Sequence, residues 1–362
     1  MKKALVLSGG GARGAYHVGV IEALVETGWM QDGRGPDIVA GTSIGAINAA
    51  ALASGLSVAR LRELWLQMHT EDVHRLSTDL PAVVRPLLRF LLRGVLTSQA
   101  RGGASSYELP PEEREQSAQS LFARLAELFR ARPFRSLLDT TPWRHTLAGW
   151  MDFAYINGPA APALLIAATE LQSGALEVFC NRPLQGRPAA TIGIEHLLAS
   201  SSIPIVYPWT EIGQYKYWDG AVIANTPLDP VIDLAGEDDL DILVVMMTPW
   251  SPAAGAARTT VPQDLAQAIT LTLDWALLGS YRMAFEALEQ RNQLAEAILR
   301  LRAAGIEPPP GPAPRPIAMP TVIAPAELMP LDWIIDYEHT NHQLLFERGR
   351  ADALQALAAR NP

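Results

Sequence analysis

Two glycine-rich turns near the N-terminus constrain the fold of this chain more than any other feature of its sequence. The first turn, at residues 9–14, follows the apolar run 4–8 and precedes a helical pattern at 15–26. The second turn, at 41–45, follows a short apolar run at 37–40 and opens an alanine-rich segment that ends at a glycine. This alternation of strand, turn and helix predicts the beginning of a parallel β-sheet in an α/β fold.

The rest of the sequence predicts an α/β core that is interrupted by one helical block and followed by another. Further strands are predicted at 163–169, 176–180, 215–218 and 242–247, and helices at 61–68, 86–96, 116–130, 265–304 and 340–360. The predicted α/β core comprises residues 1–56 and 151–255. A helical insertion or cap is predicted at 57–150 and includes a glycine- and serine-rich loop at 98–107. A helical C-terminal region is predicted at 256–362 and includes a proline-rich linker at 307–320.

Length and composition bound the class of protein. With 362 residues, of which 49% are hydrophobic, the chain can bury a large core. The formal net charge is −9 and the only lysines are Lys2, Lys3 and Lys216, which argues against a nucleic-acid-binding protein. The apolar run after Lys3 is too short for a signal peptide, and no stretch approaches the roughly 18–20 apolar residues of a membrane span. We therefore expect a soluble cytoplasmic protein.

Cysteine usage excludes one further class of site. Cys180 is the only cysteine, so an intrachain disulfide and a multi-cysteine metal site are both impossible. No cofactor and no metal are predicted, and no feature of the sequence indicates an oligomeric state.

The second turn has the form Gly-x-Ser-x-Gly and presents Ser43 between Gly41 and Gly45. A serine at a tight turn from strand to helix is exposed as a nucleophile, and the flanking glycines remove side chains that would clash there. The N-terminus of the following helix then points its N–H groups at the site. The alternative is a structural turn in which Ser43 merely caps that helix.

The first turn fits two kinds of site. Its pattern, Gly-x-Gly-x-x-Gly, also occurs in dinucleotide-binding folds, which require an acidic residue at the end of the second strand. Asp32 precedes that strand and Asp37 begins it, so neither fits well. The alternative is an oxyanion hole, in which consecutive backbone N–H groups bind a carbonyl oxygen. Arg13 would brace this loop or attract an anionic head group.

The sequence offers two kinds of general base for a serine nucleophile. Chain order in Ser–His–Asp hydrolases places the histidine last, which makes His339 and His342 the candidates, but both lie in what looks like a polar helix start. Asp219 instead ends a strand-like run and is followed by Gly220 and Ala221 in a sharp turn. A carboxylate can accept the serine proton if it lies within hydrogen-bonding reach in a dry site.

These motifs together resemble those of the patatin-like phospholipases. The resemblance rests on a Gly-Gly-Gly-x-Arg-Gly loop, the Gly-x-Ser-x-Gly turn, an Ala-Ser-x-x-x-Pro segment at 199–204 and a late Asp-Gly-Ala, and it spans about residues 4–250. It implies a three-layer α/β/α fold and a lipid acyl hydrolase with a Ser–Asp dyad, a covalent acyl-enzyme and no metal. It further implies the following roles: Ser43 as nucleophile, Asp219 as base, Gly41 and Gly45 at the nucleophile turn, and Gly9, Gly10, Gly11, Ala12, Arg13 and Gly14 as the oxyanion loop.

A lipid or phospholipid substrate requires access to a membrane surface. Segment 86–96 places Arg89 and Arg93 on one edge of a helix and leucines on a wide apolar arc, as in helices that lie on anionic membranes. It is therefore the candidate for peripheral membrane contact, and a cap helix packed on the core is the alternative. Two other functions also stay open at this point: a Ser–His–Asp esterase, and a lipid- or nucleotide-binding module without turnover.

Overall fold

An eight-stranded, mainly parallel β-sheet organises the computed structural model, which describes residues 1–78, 135–250, 261–263, 265–307, 315–330 and 332–360. The strands are β1 (Lys2–Leu7), β2 (Ile38–Thr42), β3 (Arg75–Leu76), β4 (Leu138–Asp139), β5 (Ala163–Glu170), β6 (Leu176–Cys180), β7 (Thr210–Ile212), β8 (Tyr215–Asp219), β9 (Leu240–Val245) and β10 (Thr321–Ile323). The α-helices are α1 (Ala15–Glu26), α2 (Ile44–Ala53), α3 (Val58–Gln67), α4 (Thr70–Val73), α5 (Thr141–Trp150), α6 (Phe153–Ile156), α7 (Ile194–Ser200), α8 (Leu228–Ala235), α9 (Leu265–Ala303) and α10 (His339–Arg360).

The sheet has the strand order β10-β9-β1-β2-β5-β8-β7, and β6 pairs with β5 outside this path. The strands β10, β9, β1, β2 and β5 are parallel, whereas β6 and β8 run antiparallel to β5. Strands β3 and β4 form a separate antiparallel pair. The glycine-rich turns predicted from the sequence follow β1 and β2, so both lie at the carboxyl edge of the parallel strands, where α/β proteins place their sites.

Two strands meet end to end along one edge of β5. On this edge β2 pairs up to Thr42 opposite Ala167, and β8 ends with Asp219 opposite the next residue, Ala168. Since β6 pairs with residues 165–169 along the other edge of β5, β2 and β8 must both lie on the first edge. Because β2 and β8 run in opposite directions, their carboxyl ends face each other. The residue after β2 is therefore brought beside the last residue of β8.

Helices cover both faces of the sheet and give the three-layer α/β/α architecture that was predicted. Alternate residues of β1 point to opposite faces, with Leu5 and Leu7 in one apolar cluster and Ala4 and Val6 in the other. The first cluster also contains buried residues of α1, α2, α3 and α10. The second contains residues of α8 and α9. This burial on both faces explains why the central strands read as continuous apolar runs.

The C-terminal region joins the core more closely than the sequence predicted. Its short strand β10 pairs with β9 in parallel and extends the central sheet. Helix α10 packs on α1, where the Tyr16 hydroxyl donates a 2.7 Å hydrogen bond to Asp352. A boundary at residue 255 therefore does not separate this region from the sheet. The three residues of β10 are too few, and too close to a proline-rich stretch, to predict a sheet partner from sequence.

The described parts of the block 57–150 contain α3, α4, α5 and the pair β3/β4. The segments predicted at 86–96, 98–107 and 116–130 lie outside the described residues. Among the helices that the structure does describe, none combines the length and the apolar character needed to cross a bilayer.

Candidate active site

The turn after β2 holds Ser43 in an uncommon backbone conformation. Its φ is 57° and its ψ is −128°, whereas non-glycine residues rarely adopt a positive φ. Neighbouring backbone enforces this turn, because a Cβ at Gly41 would lie 2.3 Å from the Gly45 carbonyl carbon and one at Gly45 would lie 2.2 Å from the Leu7 oxygen. Backbone strain of this kind is typical of functional sites. The turn places the Ser43 side chain at the N-terminus of α2.

Asp219 lies beside Ser43, as the meeting of β2 and β8 requires. The Ser43 side chain lies within hydrogen-bonding reach of the Asp219 carboxylate, and the Ala221 N–H donates a hydrogen bond to that carboxylate at 2.8 Å. The Asp219 side chain is almost fully buried, and this burial raises its pKa to about 7 although both hydrogen bonds act in the opposite direction. The carboxylate is therefore a much stronger base than one in water, and it can titrate near neutral pH.

The glycine loop after β1 passes directly over the turn that carries Ser43. A Cβ at Gly9 would lie 3.0 Å from the Ser43 Cβ, so the loop can approach this closely only as glycine. The Gly9 N–H donates to Asn225 Oδ1 at 2.8 Å and is thus occupied. Within the described part of the chain, the N–H groups of Gly10 and Gly11 have no acceptor. These two groups are available to a ligand oxygen.

The Arg13 side chain braces the glycine loop from within the protein. Its guanidinium is fully buried and pairs with Asp274 of α9 at 2.8 Å. It also donates to the carbonyl oxygens of Met329 (2.9 Å) and Pro330 (3.1 Å). A guanidinium enclosed by these partners cannot bind the head group of a lipid, so the structure favours bracing over the alternative role.

Two polar side chains that the sequence did not single out hold the site in place. The Ser200 hydroxyl accepts a 2.9 Å hydrogen bond from the Ser43 N–H and donates at 2.6 Å to the Ala167 carbonyl. Asn225 anchors Gly9 as described. Ser200 lies in the Ala-Ser-x-x-x-Pro segment at 199–204, but the partners of Ser200 and Asn225 are distant in sequence and only the fold reveals them.

Other candidate residues have structural partners away from Ser43. The Asp32 carboxylate caps α3 at the Val58 N–H (2.7 Å), and Asp37 accepts from the Lys3 N–H (2.7 Å). His342 bonds the Trp65 carbonyl at 2.9 Å. The side chain of His339 lies outside the described side chains. The acidic residues of the dinucleotide alternative are thus used in local structure.

A cavity of only about 10 Å³ adjoins Ser43. It is lined by Gly11, Ser43, Ile44, Ile47, Trp143, Ser201, Ile203, Tyr207 and Tyr337. This volume is about that of one water molecule, so a larger ligand requires the lining side chains to move. Three of the lining residues are aromatic and come from distant segments, namely Trp143, Tyr207 and Tyr337, and we refer to them as the aromatic cover. Tyr207 is held by a 2.9 Å hydrogen bond between its hydroxyl and His74 Nδ1.

The described side chains do not form a metal site. No group of three or more His, Cys, Asp or Glu residues among them is placed to hold a metal ion.

Comparison with protein families and curated proteins gives matches to one kind of protein. The family model described as Patatin-like phospholipase matches residues 5–232. Patatin-like phospholipase domain-containing protein 6 of Mus musculus and that of Homo sapiens are each 47% identical to the chain over 60 residues, which is 17% of this chain and 4% of that protein. The chain thus covers only a small part of the length of these relatives.

Solved structures give more distant similarities. VipD from Legionella pneumophila is similar over 99% of this chain and 67% of that chain, with a TM-score of 0.43 and 16% identity. Human GIVD cytosolic phospholipase A2, solved in complex with methyl gamma-linolenyl fluorophosphonate, is similar over 99% of this chain and 58% of that chain, with a TM-score of 0.35 and 14% identity. The strand pairing of this chain is observed in its own structure and does not depend on the similarity to either protein.

Proposed function

The chain belongs to the patatin-like phospholipase family, and from this premise we propose that it hydrolyses fatty-acyl esters of lipids, phospholipids among them, with Ser43 as nucleophile and Asp219 as general base. The observation that carries the proposal is the contact between the Ser43 hydroxyl and a buried carboxylate whose pKa is raised to about 7. A strained serine turn, a base within reach and unoccupied N–H groups nearby are the parts that acyl transfer requires.

In the first half-reaction the Ser43 oxygen attacks the carbonyl carbon of the bound ester, and the hydroxyl proton moves to Asp219. The tetrahedral intermediate then collapses, the bond to the leaving alcohol breaks, and Asp219 returns the proton to that alcohol. The products of this step are the free alcohol and an acyl ester on Ser43. General base catalysis of this kind is worth typically ~10²–10⁴ in rate.

In the second half-reaction water takes the place of the alcohol. Asp219 accepts a proton from the water molecule while its oxygen attacks the acyl carbonyl, and collapse returns the proton to the Ser43 oxygen as the fatty acid leaves. In both intermediates the negative oxygen would be bound by the N–H groups of Gly10 and Gly11. Removing one such donor typically costs roughly 10²–10³ in rate. The N-terminus of α2 adds a favourable positive potential.

The pH dependence follows from the state of Asp219. The carboxylate must be ionised to accept the proton, so we expect kcat/KM to rise with pH through about 7 and to level off above it. A histidine base would give a rise in a similar range. The pH profile alone therefore does not distinguish the two bases, and substitutions are needed.

Covalent labelling and hydrolysis test the proposal together. We expect a fluorophosphonate probe to label the wild type and Asp229→Asn but not Ser43→Ala, and we expect Asp219→Asn to lose ~10²–10⁴ in hydrolysis of a lipid panel. Asp229→Asn is the matched control, because burial raises the pKa of that carboxyl as well and it lies away from Ser43. A folded wild type without label or hydrolysis would favour a binding module. Loss of activity in His339→Gln or His342→Gln, with Asp219→Asn active, would favour the histidine mechanism.

A further inference from the structure

A second feature of the molecule lies next to the cavity and has no part in the proposed chemistry. It is an exposed surface formed by Ile205, Trp209, Tyr215, Lys216 and Arg135, which we call the loop surface. Three of these residues are in contact: the Arg135 guanidinium lies 5.0 Å and the Lys216 ammonium 5.7 Å from the centre of the Trp209 ring. The surface thus combines an aliphatic tip, two exposed or half-exposed aromatic rings and two cations.

Ile205 is held in a conformation that its side chain disfavours. Its φ is 70°, a value that is a genuine outlier for a β-branched residue, and its side chain is 65% exposed. The backbone is fixed by hydrogen bonds from the N–H groups of Leu137 to the Ile205 oxygen and of Leu138 to the Val206 oxygen, both 2.9 Å. Glycine or asparagine would fit this backbone better and would expose less apolar surface. An exposed isoleucine in this position therefore does not contribute to the stability of the turn.

The charges of the loop surface favour an anionic partner. Arg135 and Lys216 both face Trp209, and the acidic group that pairs with them among the described residues is Glu211, which lies 3.4 Å from Arg135 and 3.9 Å from Lys216. The local balance is thus one positive charge in a chain whose formal net charge is −9. Lysine, arginine, tryptophan and tyrosine around an aliphatic tip are typical of proteins that rest on the head-group region of a bilayer.

The loop that carries Ile205 also forms one wall of the candidate active site. Ile203 and Tyr207, on either side of Ile205 in sequence, line the cavity at Ser43 while Ile205 points to solvent. A surface that binds through Ile205 and Trp209 is consequently placed beside the cavity at Ser43. Movement of this loop would also move Tyr207, which belongs to the aromatic cover.

We propose that the loop surface docks the protein onto a bilayer that contains anionic phospholipid, with Ile205 and Trp209 inserted among the head groups and Arg135 and Lys216 paired with lipid phosphates. The proposal names the surface that would deliver lipid to the site and rests on the proposed function for its purpose. Docking itself requires no chemistry at Ser43, so the two can be tested separately.

The first test measures co-sedimentation with vesicles, using a Ser43→Ala background so that hydrolysis does not consume the lipid. We expect binding to vesicles of phosphatidylcholine mixed with phosphatidylglycerol, and weaker binding to phosphatidylcholine alone. Ile205→Asn should lower the partition coefficient by about tenfold or more, since a large aliphatic side chain no longer inserts. Because asparagine tolerates a positive φ, thermal stability should be unchanged or higher, which a merely structural role of Ile205 would not give.

The second test separates charge from insertion. Arg135→Gln and Lys216→Gln should each lower binding to the mixed vesicles by about fivefold and reduce the preference for phosphatidylglycerol. Met283→Gln is the matched control, because Met283 is 73% exposed on α9 and lies outside the loop surface; it should leave binding within about twofold, as expected of an isolated surface residue. In the active protein, Ile205→Asn should reduce hydrolysis of vesicle lipid far more than hydrolysis of a soluble short-chain ester.

The proposal is overturned if the wild type binds neither kind of vesicle, or if Ile205→Asn and Arg135→Gln bind as the wild type does. It is equally overturned if Met283→Gln loses binding and Ile205→Asn retains it, since another surface would then be the one that docks. If the wild type has no esterase activity but binds vesicles in a way that requires Ile205, the proposed function is contradicted, whereas the role of the loop surface in docking is supported.

Discussion

The reactive centre and its aromatic cover are built by different means. By the reactive centre we mean Ser43, Asp219, the loop 9–14 and the two turn glycines Gly41 and Gly45. It depends on backbone segments that approach so closely that no side chain fits between them. The aromatic cover of Trp143, Tyr207 and Tyr337 depends on large side chains from three distant segments that line a cavity of about 10 Å³, and the ring centres of Trp143 and Tyr337 lie 6.2 Å apart. A substitution in the reactive centre changes the positions of the backbone segments themselves, whereas a substitution in the aromatic cover changes only the volume of the cavity at Ser43.

This difference predicts that the reactive centre and the aromatic cover tolerate substitutions unequally. Backbone contacts at van der Waals distance leave no room for relaxation, because the two partners belong to the central sheet and its first helices. Side chains that cover a cavity can change rotamer or be replaced by others of similar volume. We therefore expect the reactive centre to be intolerant of substitution and the aromatic cover to adjust substrate selectivity.

The largest expected effect is that of Gly45→Ala. A Cβ at this position would lie 2.2 Å from the Leu7 oxygen and 2.6 Å from the Ser8 oxygen, so β1 and α2 would have to separate. We expect a loss of roughly 4 kcal/mol or more in the free energy of unfolding, measured by urea denaturation. Gly149→Ala is the matched control: it lies in α5 with no atom within 4 Å of the new Cβ, and should gain about 0.5–1 kcal/mol from helix propensity. Equal stability of the two variants would contradict the comparison.

Asp219→Asn should make the protein more stable at neutral pH while it removes activity. The carboxyl group loses its proton near pH 3.8 when unfolded and near 7 when folded, so between these values the folded chain alone retains the proton. Raising the pH through this window therefore removes stability, and asparagine avoids the loss. The gain should be small at pH 4 and reach on the order of 2–4 kcal/mol above pH 7.

The measurement is the free energy of unfolding of both proteins across this pH range. Asp229→Asn again serves as control and should show a smaller gain, since that carboxyl is only partly buried. A gain that does not change with pH would contradict the raised pKa of Asp219 and would leave its role as a neutral-pH base without support.

Ser200→Ala tests whether the reactive centre depends on side chains beyond those that would react. Without the hydroxyl, the Ser43 N–H and the Ala167 carbonyl would both lose a buried partner, and the strained turn would be held less firmly. We expect kcat for a soluble ester to fall by about tenfold with little change in KM, as expected for a positioning residue. The nearby Ser202→Ala removes a buried hydroxyl that bonds the Leu198 carbonyl and the Thr210 hydroxyl and does not line the cavity, and its kcat should stay within about threefold. Equal effects would show that Ser200 does not position Ser43.

The sequence predicted those parts of the site that depend on local backbone chemistry. Close backbone contacts require glycine at Gly11, Gly41 and Gly45, so the motifs at 9–14 and 41–45 mark local structure directly. The resemblance that these motifs indicated is confirmed by the family match over residues 5–232. The three-layer fold is confirmed in the same way, since α/β periodicity and burial on both faces leave few alternatives. The roles of Ser43 and Asp219 stay proposals that their contact supports.

The sequence could not predict what depends on distant contacts. The partners of Ser200 and Asn225 are set by the meeting of β2 and β8 and by the path of the glycine loop, which no local pattern encodes. Neither Trp143 nor Tyr337 has a motif that marks it as part of a cavity wall. The strand β10 was too short to assign to the central sheet. In each case many sequences satisfy the same contact, so the residue type alone is not informative.

The smallest expected effect tests the aromatic cover itself. Tyr337→Leu removes a ring that packs against Trp65 and Trp143 and enlarges the cavity at Ser43. We expect the ratio of kcat/KM for a long-chain ester to that for a short-chain ester to rise by about three- to fivefold. This is less than the roughly tenfold that one fully enclosed methylene is worth, because a flexible acyl chain fills the added space incompletely. Tyr281→Leu is the matched control: Tyr281 is equally buried and packs on aromatic rings, but on the opposite face of the sheet. Tyr281→Leu should lower the free energy of unfolding by a similar amount and leave the ratio of kcat/KM for the two esters unchanged. If the ratio responds equally to both substitutions, chain-length selectivity reflects general stability and the aromatic cover does not set it.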